Sequence, residues 1–163
     1  MTLHEIINQI EIGISQVLQF AKNSNIYIGG HSAGGHLASL MLHTDFCKKF
    51  SLDISQNRIK GLILVSGIYD LTPLIKTNEN KALKMDLVSA EISSPLFRND
   101  LSFFSDTDKK NLKVLVVYGE HESSSFKKQS QDYYDVCFFF LFLLFFSIII
   151  FRHFSAFEIK IGN

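Results

Sequence analysis

"IYIGGHSAGGHLASLM", residues 26–41, decides how the rest of the chain is read. Ile26 to Ile28 is a β-branched and aromatic run too short for a helix before Gly29-Gly30, so it predicts a strand. "GGHLASLMLHTDF", from Gly34, resumes helical spacing and predicts a helix. Between the two, Gly30 and Gly34 flank Ser32 as G-x-S-x-G. A serine hydroxyl is a poor nucleophile unless a base can take its proton and donors meet the developing oxyanion. A sharp strand-to-helix turn supplies that setting, because missing side chains at the glycines let strand and helix approach closely and project the hydroxyl. The backbone N–H of Ala33, at the opening of the helix, is then a natural oxyanion donor. The bland alternative is a glycine-rich turn that happens to contain a serine, a pattern chance supplies in about one chain in twenty. A strand ending at the first glycine and a helix beginning at the second favour the nucleophile turn.

Outward from this turn, apolar residues from Leu3 to Ala21 recur at three- and four-residue steps, which predicts an amphipathic helix over residues 3–22 with one buried face. "IKGLILVSGIYDL", residues 59–71, predicts a second strand whose continuous run Leu62 to Val65 suits burial on both faces of a parallel sheet. Residues 74–92 suit one or two short helices, ended by Pro95 in "SSPLF". "NLKVLVVYGEHES" predicts a third strand and a polar loop, and "SFKKQSQDYYDV" the start of another helix. This alternation argues for an α/β fold, a parallel sheet with flanking helices.

The 163 residues suffice for one domain with a real core. Lys+Arg and Asp+Glu balance at 16 each with no basic stripe, which argues against a nucleic-acid partner. Cys47 and Cys137 share no metal-ligand spacing and make no disulfide framework, which suits a reducing cytoplasm; neither metal nor cofactor is expected. The N-terminus, interrupted by Glu5 and Glu11, does not read as a signal peptide.

Composition changes after Asp135. Residues 136–151, "VCFFFLFLLFFSIIIF", carry no charge, and residues 136–163 hold nine of the sixteen Phe. One domain is therefore expected over 1–135 and a separate Phe-rich tail over 136–163. Three readings stand for the tail. "FSIIIF" can be a last strand with "RHF" as a histidine loop. Phe, Leu, Ile and Ser are specified by thymine-rich codons, so the run also suits translation through an unspliced intron. As a membrane helix, residues 136–151 would reach about 24 Å, short of the roughly 30 Å hydrocarbon core. Membrane attachment is expected only through that segment.

"GGHSAGGHLA", "GLILVSGIYDLTPL", "SSPLF" and "VVYGEHESSSFKKQS" together resemble, in order and spacing, the kynurenine formamidase (arylformamidase) branch of the α/β-hydrolases, near the hormone-sensitive-lipase-like esterases. The G-x-H-(D or E)-S-x-x-F-x-x-Q-S string after the third strand favours the formamidase. The resemblance spans residues 1 to about 135 and implies hydrolysis of N-formylkynurenine to kynurenine and formate in tryptophan breakdown. It implies a small-molecule substrate and no cofactor. By position, Ser32 matches the nucleophile, Ala33 an oxyanion donor and Glu122 the triad acid, where the family has aspartate. Glu120 is the runner-up acid. The histidine should follow the acid by about thirty residues, and His153 is the one that lies beyond Glu122. The family's upstream H-G-G stretch, which completes its oxyanion hole, is absent from this sequence. Two alternatives follow: an inactive hydrolase fragment lacking the amino-terminal strands, or a carboxylesterase.

Other residues take structural readings. His31 and His36 are expected to pack or hydrogen-bond beside the turn, His43 and His121 to ligate no metal, and His4 to be solvated. Tyr69 and Asp70 follow the second strand, where pockets form, but Asp70 is expected to cap a helix.

Overall fold

The computed structural model describes residues 1–21, 24–50, 58–98, 112–142 and 148–151. Helix α1 (Leu3–Phe20) leads to strand β1 (Ile26–His31), helices α2 (Ala33–Ser39) and α3 (Thr44–Lys49), and strand β2 (Ile59–Val65). Short helices α4 (Asn80–Leu83) and α5 (Leu87–Ile92) precede strand β3 (Lys113–Val117), helix α6 (Ser124–Phe142) and strand β4 (Ile148–Phe151). The strands form one parallel sheet in the order β1-β2-β3-β4. The α/β expectation holds. Among the described residues no strand precedes β1, which forms one edge of the sheet.

β1 runs three residues further than its side chains predict. Gly29, Gly30 and His31 pair with Ile63, Leu64 and Val65, so the parallel ladder overrides the low strand propensity of glycine. The helix expected from Gly34 onward is broken instead: a 3-10 turn at Leu40–Leu42 and an extended His43 separate α2 from α3. Residues 72–97 form the two expected short helices with a 3-10 turn on either side. α5 starts at a capping box in which Asp86 Oδ1 accepts the Ser89 N–H at 2.8 Å and Ser89 Oγ accepts the Asp86 N–H at 2.9 Å.

The core lies on one side of the sheet. Leu62 and Leu64 of β2 and Val114 and Val116 of β3 pack with Leu18 of α1, Ala38 of α2, Phe46 of α3 and Tyr133 and Cys137 of α6. Ile63, one residue out of phase, is 44% exposed, and Tyr27 of β1 is 57% exposed. The expectation that β2 is buried on both faces is therefore corrected. The run Leu62 to Val65 hides a two-residue alternation, because the helices that contribute to this core meet Leu62 and Leu64. α1 likewise buries a narrower stripe than predicted. Leu3, Glu11, Ser15 and Leu18 face inward while Ile10 and Val17 remain exposed. Glu11 is tolerated there because Lys49 Nζ reaches it at 2.5 Å. The amino-terminal end of α1 closes a second cluster, in which Leu3 meets Leu71, Met85 and Ala90.

α6 runs straight through Asp135, and Cys137, two residues past the change in composition, is fully buried in the core. Ile148–Phe151 pairs in parallel with Val114–Val117. Residues 136–142 of the uncharged run thus belong to α6 and residues 148–151 to β4. Among the described residues no helix is long and apolar enough to cross a membrane.

The one-sided core predicts a sharp contrast between neighbours on β2. Leu64→Ala, at a fully buried position, should cost about 2–5 kcal/mol by urea denaturation. Ile63→Ala should cost at most about 1 kcal/mol. Equal losses would contradict the asymmetry.

Candidate active site

The four strands end in one row, because His31 pairs with Val65, Val65 with Val117 and Val117 with Phe151. The chain leaving each strand therefore emerges at a common carboxyl edge, where ligands of open α/β sheets bind. Ser32 is the first residue past β1. Its N–H still donates to Val65 O at 2.9 Å, continuing the ladder by one bond. The next peptide must then enter α2, and the backbone turns at Ser32 with φ 54° and ψ −118°. Few non-glycine residues adopt such a φ, and where the surroundings enforce it the strain marks functional turns.

Serine at a helix N-cap ordinarily spends its hydroxyl on a backbone N–H. Ser32 makes no such cap bond, and its side chain is half-exposed at the edge. Ala33 is the first helical residue and is exposed; its N–H belongs to the first-turn donors that have no acceptor within the helix. Ser66, the first residue past β2, repeats the arrangement, with φ 45° and its N–H donating to Val117 O at 2.7 Å. Unlike Ser32 it is buried.

Two glycines make this turn possible, and one of them differs from expectation. A Cβ on Gly30 would collide with the backbone of Gly34, so the first glycine of the motif is required as predicted. A Cβ on Gly34 would meet nothing within 4 Å. The second obligatory glycine is Gly35, whose Cβ would lie 2.8 Å from the Cα of Gly67 in the segment after β2. Sequence reasoning missed it because adjacent glycines look equivalent until the face that the helix turns toward β2 is known.

Glu122 lies in the loop after β3, at the same edge. It is half-buried, and its N–H closes a turn on Gly119 O at 3.1 Å. Glu120 is exposed; its carbonyl, rather than its carboxylate, is engaged, accepting from Lys127 Nζ at 2.6 Å. The structure thus brings Ser32 and Glu122 to one edge from β1 and β3. β4 ends there as well, at Phe151, while His153 lies outside the described residues.

The remaining histidines take other roles. His36 is buried and donates from Nε2 to Ser93 O at 2.8 Å, since a carbonyl can only accept. Burial pushes its pKa below the ordinary value, opposed in part by that bond. It is a structural group. His31 is exposed rather than packed, as are His4 and His121, while His43 is buried. The N-cap of the 3-10 turn at Thr72 is Leu71 rather than Asp70, which stands one residue before it: Asp70 Oδ1 accepts the Thr72 N–H at 2.8 Å and its hydroxyl at 2.7 Å. Tyr69 is fully buried, and desolvation drives its hydroxyl pKa upward. Among the described residues no group of three His, Cys, Asp or Glu is placed to hold a metal ion.

Residues 14–136 match the BD-FAE family. The chain belongs to that family. It is 39% identical over 121 residues to the kynurenine formamidase of Salmo salar, covering 74% of this chain and 39% of that protein. Against the kynurenine formamidase of Danio rerio it is 39% identical over 122 residues, covering the same shares of each. The crystal structure of a candidate thioesterase from Silicibacter sp. tm1040 superposes with a TM-score of 0.62 at 29% identity, covering 88% of this chain and 50% of that one. The fold is that of the α/β-hydrolases, as the sequence resemblance implies. The chain spans about two-fifths of the length of the kynurenine formamidases it matches.

The packing at the turn makes a discriminating prediction. Gly34→Ala should leave the urea midpoint unchanged or raise it, since alanine favours a helix by up to about 1 kcal/mol where space is open. Gly30→Ala and Gly35→Ala should each cost about 2 kcal/mol or more through overpacking. A reversed order would refute the assignment of the obligatory glycines.

Proposed function

We propose that the chain is a serine hydrolase that cleaves N-formyl-L-kynurenine to L-kynurenine and formate, a step in tryptophan breakdown. The observation that carries this reading is Ser32 itself: a backbone held at positive φ past a strand end, with a hydroxyl that caps nothing. The kinship with kynurenine formamidases supports the choice of a formyl amide as substrate.

In this mechanism Ser32 Oγ attacks the formyl carbon while a histidine takes its proton. The carbonyl oxygen becomes an oxyanion and accepts from the Ala33 N–H. Collapse breaks the C–N bond, and the histidine returns the proton to the departing aryl amine, leaving a formyl ester on Ser32. Water, deprotonated by the same histidine, then releases formate and restores the serine. Glu122 accepts the Nδ1–H of that histidine and fixes its tautomer. Half-burial favours Glu122 over the exposed Glu120 for this part. His153, two residues past β4, is the histidine assigned as base. Cys137 is a free, buried thiol, which supports a reducing cytoplasmic setting.

A second reading is a chain without catalysis. The two readings part on one assay. Hydrolysis of N-formylkynurenine, followed by the appearance of kynurenine, should fall at least about a thousandfold in Ser32→Ala. Glu122→Gln should lower kcat by about ten-fold or more. A wild-type chain that produces kynurenine no faster than buffer would contradict the formamidase reading.

A further inference from the structure

Residues 67–71, which follow Ser66, form a strap between two helices at the carboxyl edge. At one end, the Cα of Gly67 packs beneath Gly35 of α2, at the contact that excludes a side chain. At the other end lies Gln129 of α6. Its Oε1 accepts two successive strap amides, the Tyr69 N–H at 2.8 Å and the Asp70 N–H at 2.9 Å. One turn further along α6, Tyr133 stacks on Tyr69, with ring centroids 4.2 Å apart and planes 2° from parallel. Two further groups of the strap are also held: Tyr69 O accepts the Leu96 N–H at 3.0 Å, and Ser94 Oγ accepts the Leu71 N–H at 2.8 Å.

Each helix at the ends of this strap carries one half of the site. α2 opens on Ser32, and α6 begins at Ser124, two residues after Glu122. We infer that Gln129 is a positioning residue, whose side-chain oxygen fixes the spacing between the Ser32 turn and the Glu122 loop by holding the Tyr69 and Asp70 amides. The inference rests on the proposed roles of Ser32 and Glu122. One acceptor oxygen serves two donors, so its loss orphans both N–H groups together. Tyr69 is fully buried, which leaves its amide no ready replacement from solvent. The Tyr69–Tyr133 stack alone then ties the strap to α6, without directional bonds to set its register, and a displacement near 1 Å between reacting groups costs as much as about a hundredfold in rate.

Two substitutions of similar length separate this role from bulk packing. Gln129→Glu keeps an acceptor at the same reach, and Gln129→Met removes it. Hydrolysis of p-nitrophenyl acetate provides kcat and KM, and hydrogen exchange reads the Tyr69 and Asp70 amides. The expected result is Gln129→Glu within about threefold of wild type and Gln129→Met down about ten-fold or more in kcat, with KM within about threefold. Exchange protection at the two amides should survive in Gln129→Glu and vanish in Gln129→Met. Should Gln129→Met fail to fold, Gln129→Asn, which withdraws the oxygen by one methylene, carries the same comparison. A variant without the acceptor that keeps wild-type kcat, or a Gln129→Glu no better than Gln129→Met, overturns the positioning role alone. A wild-type chain that hydrolyses no ester overturns the nucleophile reading and this inference with it.

Discussion

The backbone at Ser32 occupies a conformation that costs an L-residue roughly 1–3 kcal/mol, and the structure over-determines it. On one side, the Ser32 N–H is bound to Val65 O, which holds the residue in line with the sheet. On the other, the carbonyl of Ser32 accepts the His36 N–H at 3.1 Å, which commits it to the first turn of α2. The crowding of Gly30 against Gly34 and of Gly35 against Gly67 leaves the helix no second place to sit. His36, bonded to Ser93 O, ties α2 to the segment after α5. The ladder bond behind Ser32 and the helix bond ahead of it together hold the strained conformation in place.

That arrangement depends on the sheet beneath it. Parallel register aligns the ends of all four strands, so each loop that leaves the sheet arrives at the same edge. Leu62, Leu64, Val114 and Val116 anchor the sheet to the helices, and α6 extends the core as far as Cys137. The opposite face, with Ile63 and Tyr27 exposed, contributes register but little burial. The site is therefore held from one side: α2, the strap at 67–71 and α6 share one layer, and the geometry of the edge follows from how that layer packs.

Much of this was legible in the sequence, and most of the exceptions share a physical cause. The order of elements and the turn at Ser32 follow from local signals, β-branched runs and glycine spacing; the expected cap by Asp70 is corrected, since Leu71 is the N-cap and Asp70, one residue before it, accepts from Thr72. The other misreadings concern partners remote in sequence. Gly29, Gly30 and His31 join β1 because β2 offers them a ladder. Leu62 to Val65 reads as doubly buried because apolar residues on both faces look the same as apolar residues on one. Gly35 rather than Gly34 is obligatory because of Gly67, more than thirty positions away. Gln129 stands in a string that signals kinship, yet nothing in the string says that its oxygen serves Tyr69 and Asp70.

The central claim is that folding, and not the mere presence of a serine, makes Ser32 reactive. Peptide-mapped labelling by a fluorophosphonate, compared between the native chain and the chain unfolded in urea, tests it most directly. The account predicts a single adduct on Ser32 in the native chain and none after unfolding. Native chain that stays unlabelled at Ser32, or that labels there no faster than unfolded chain, would contradict it.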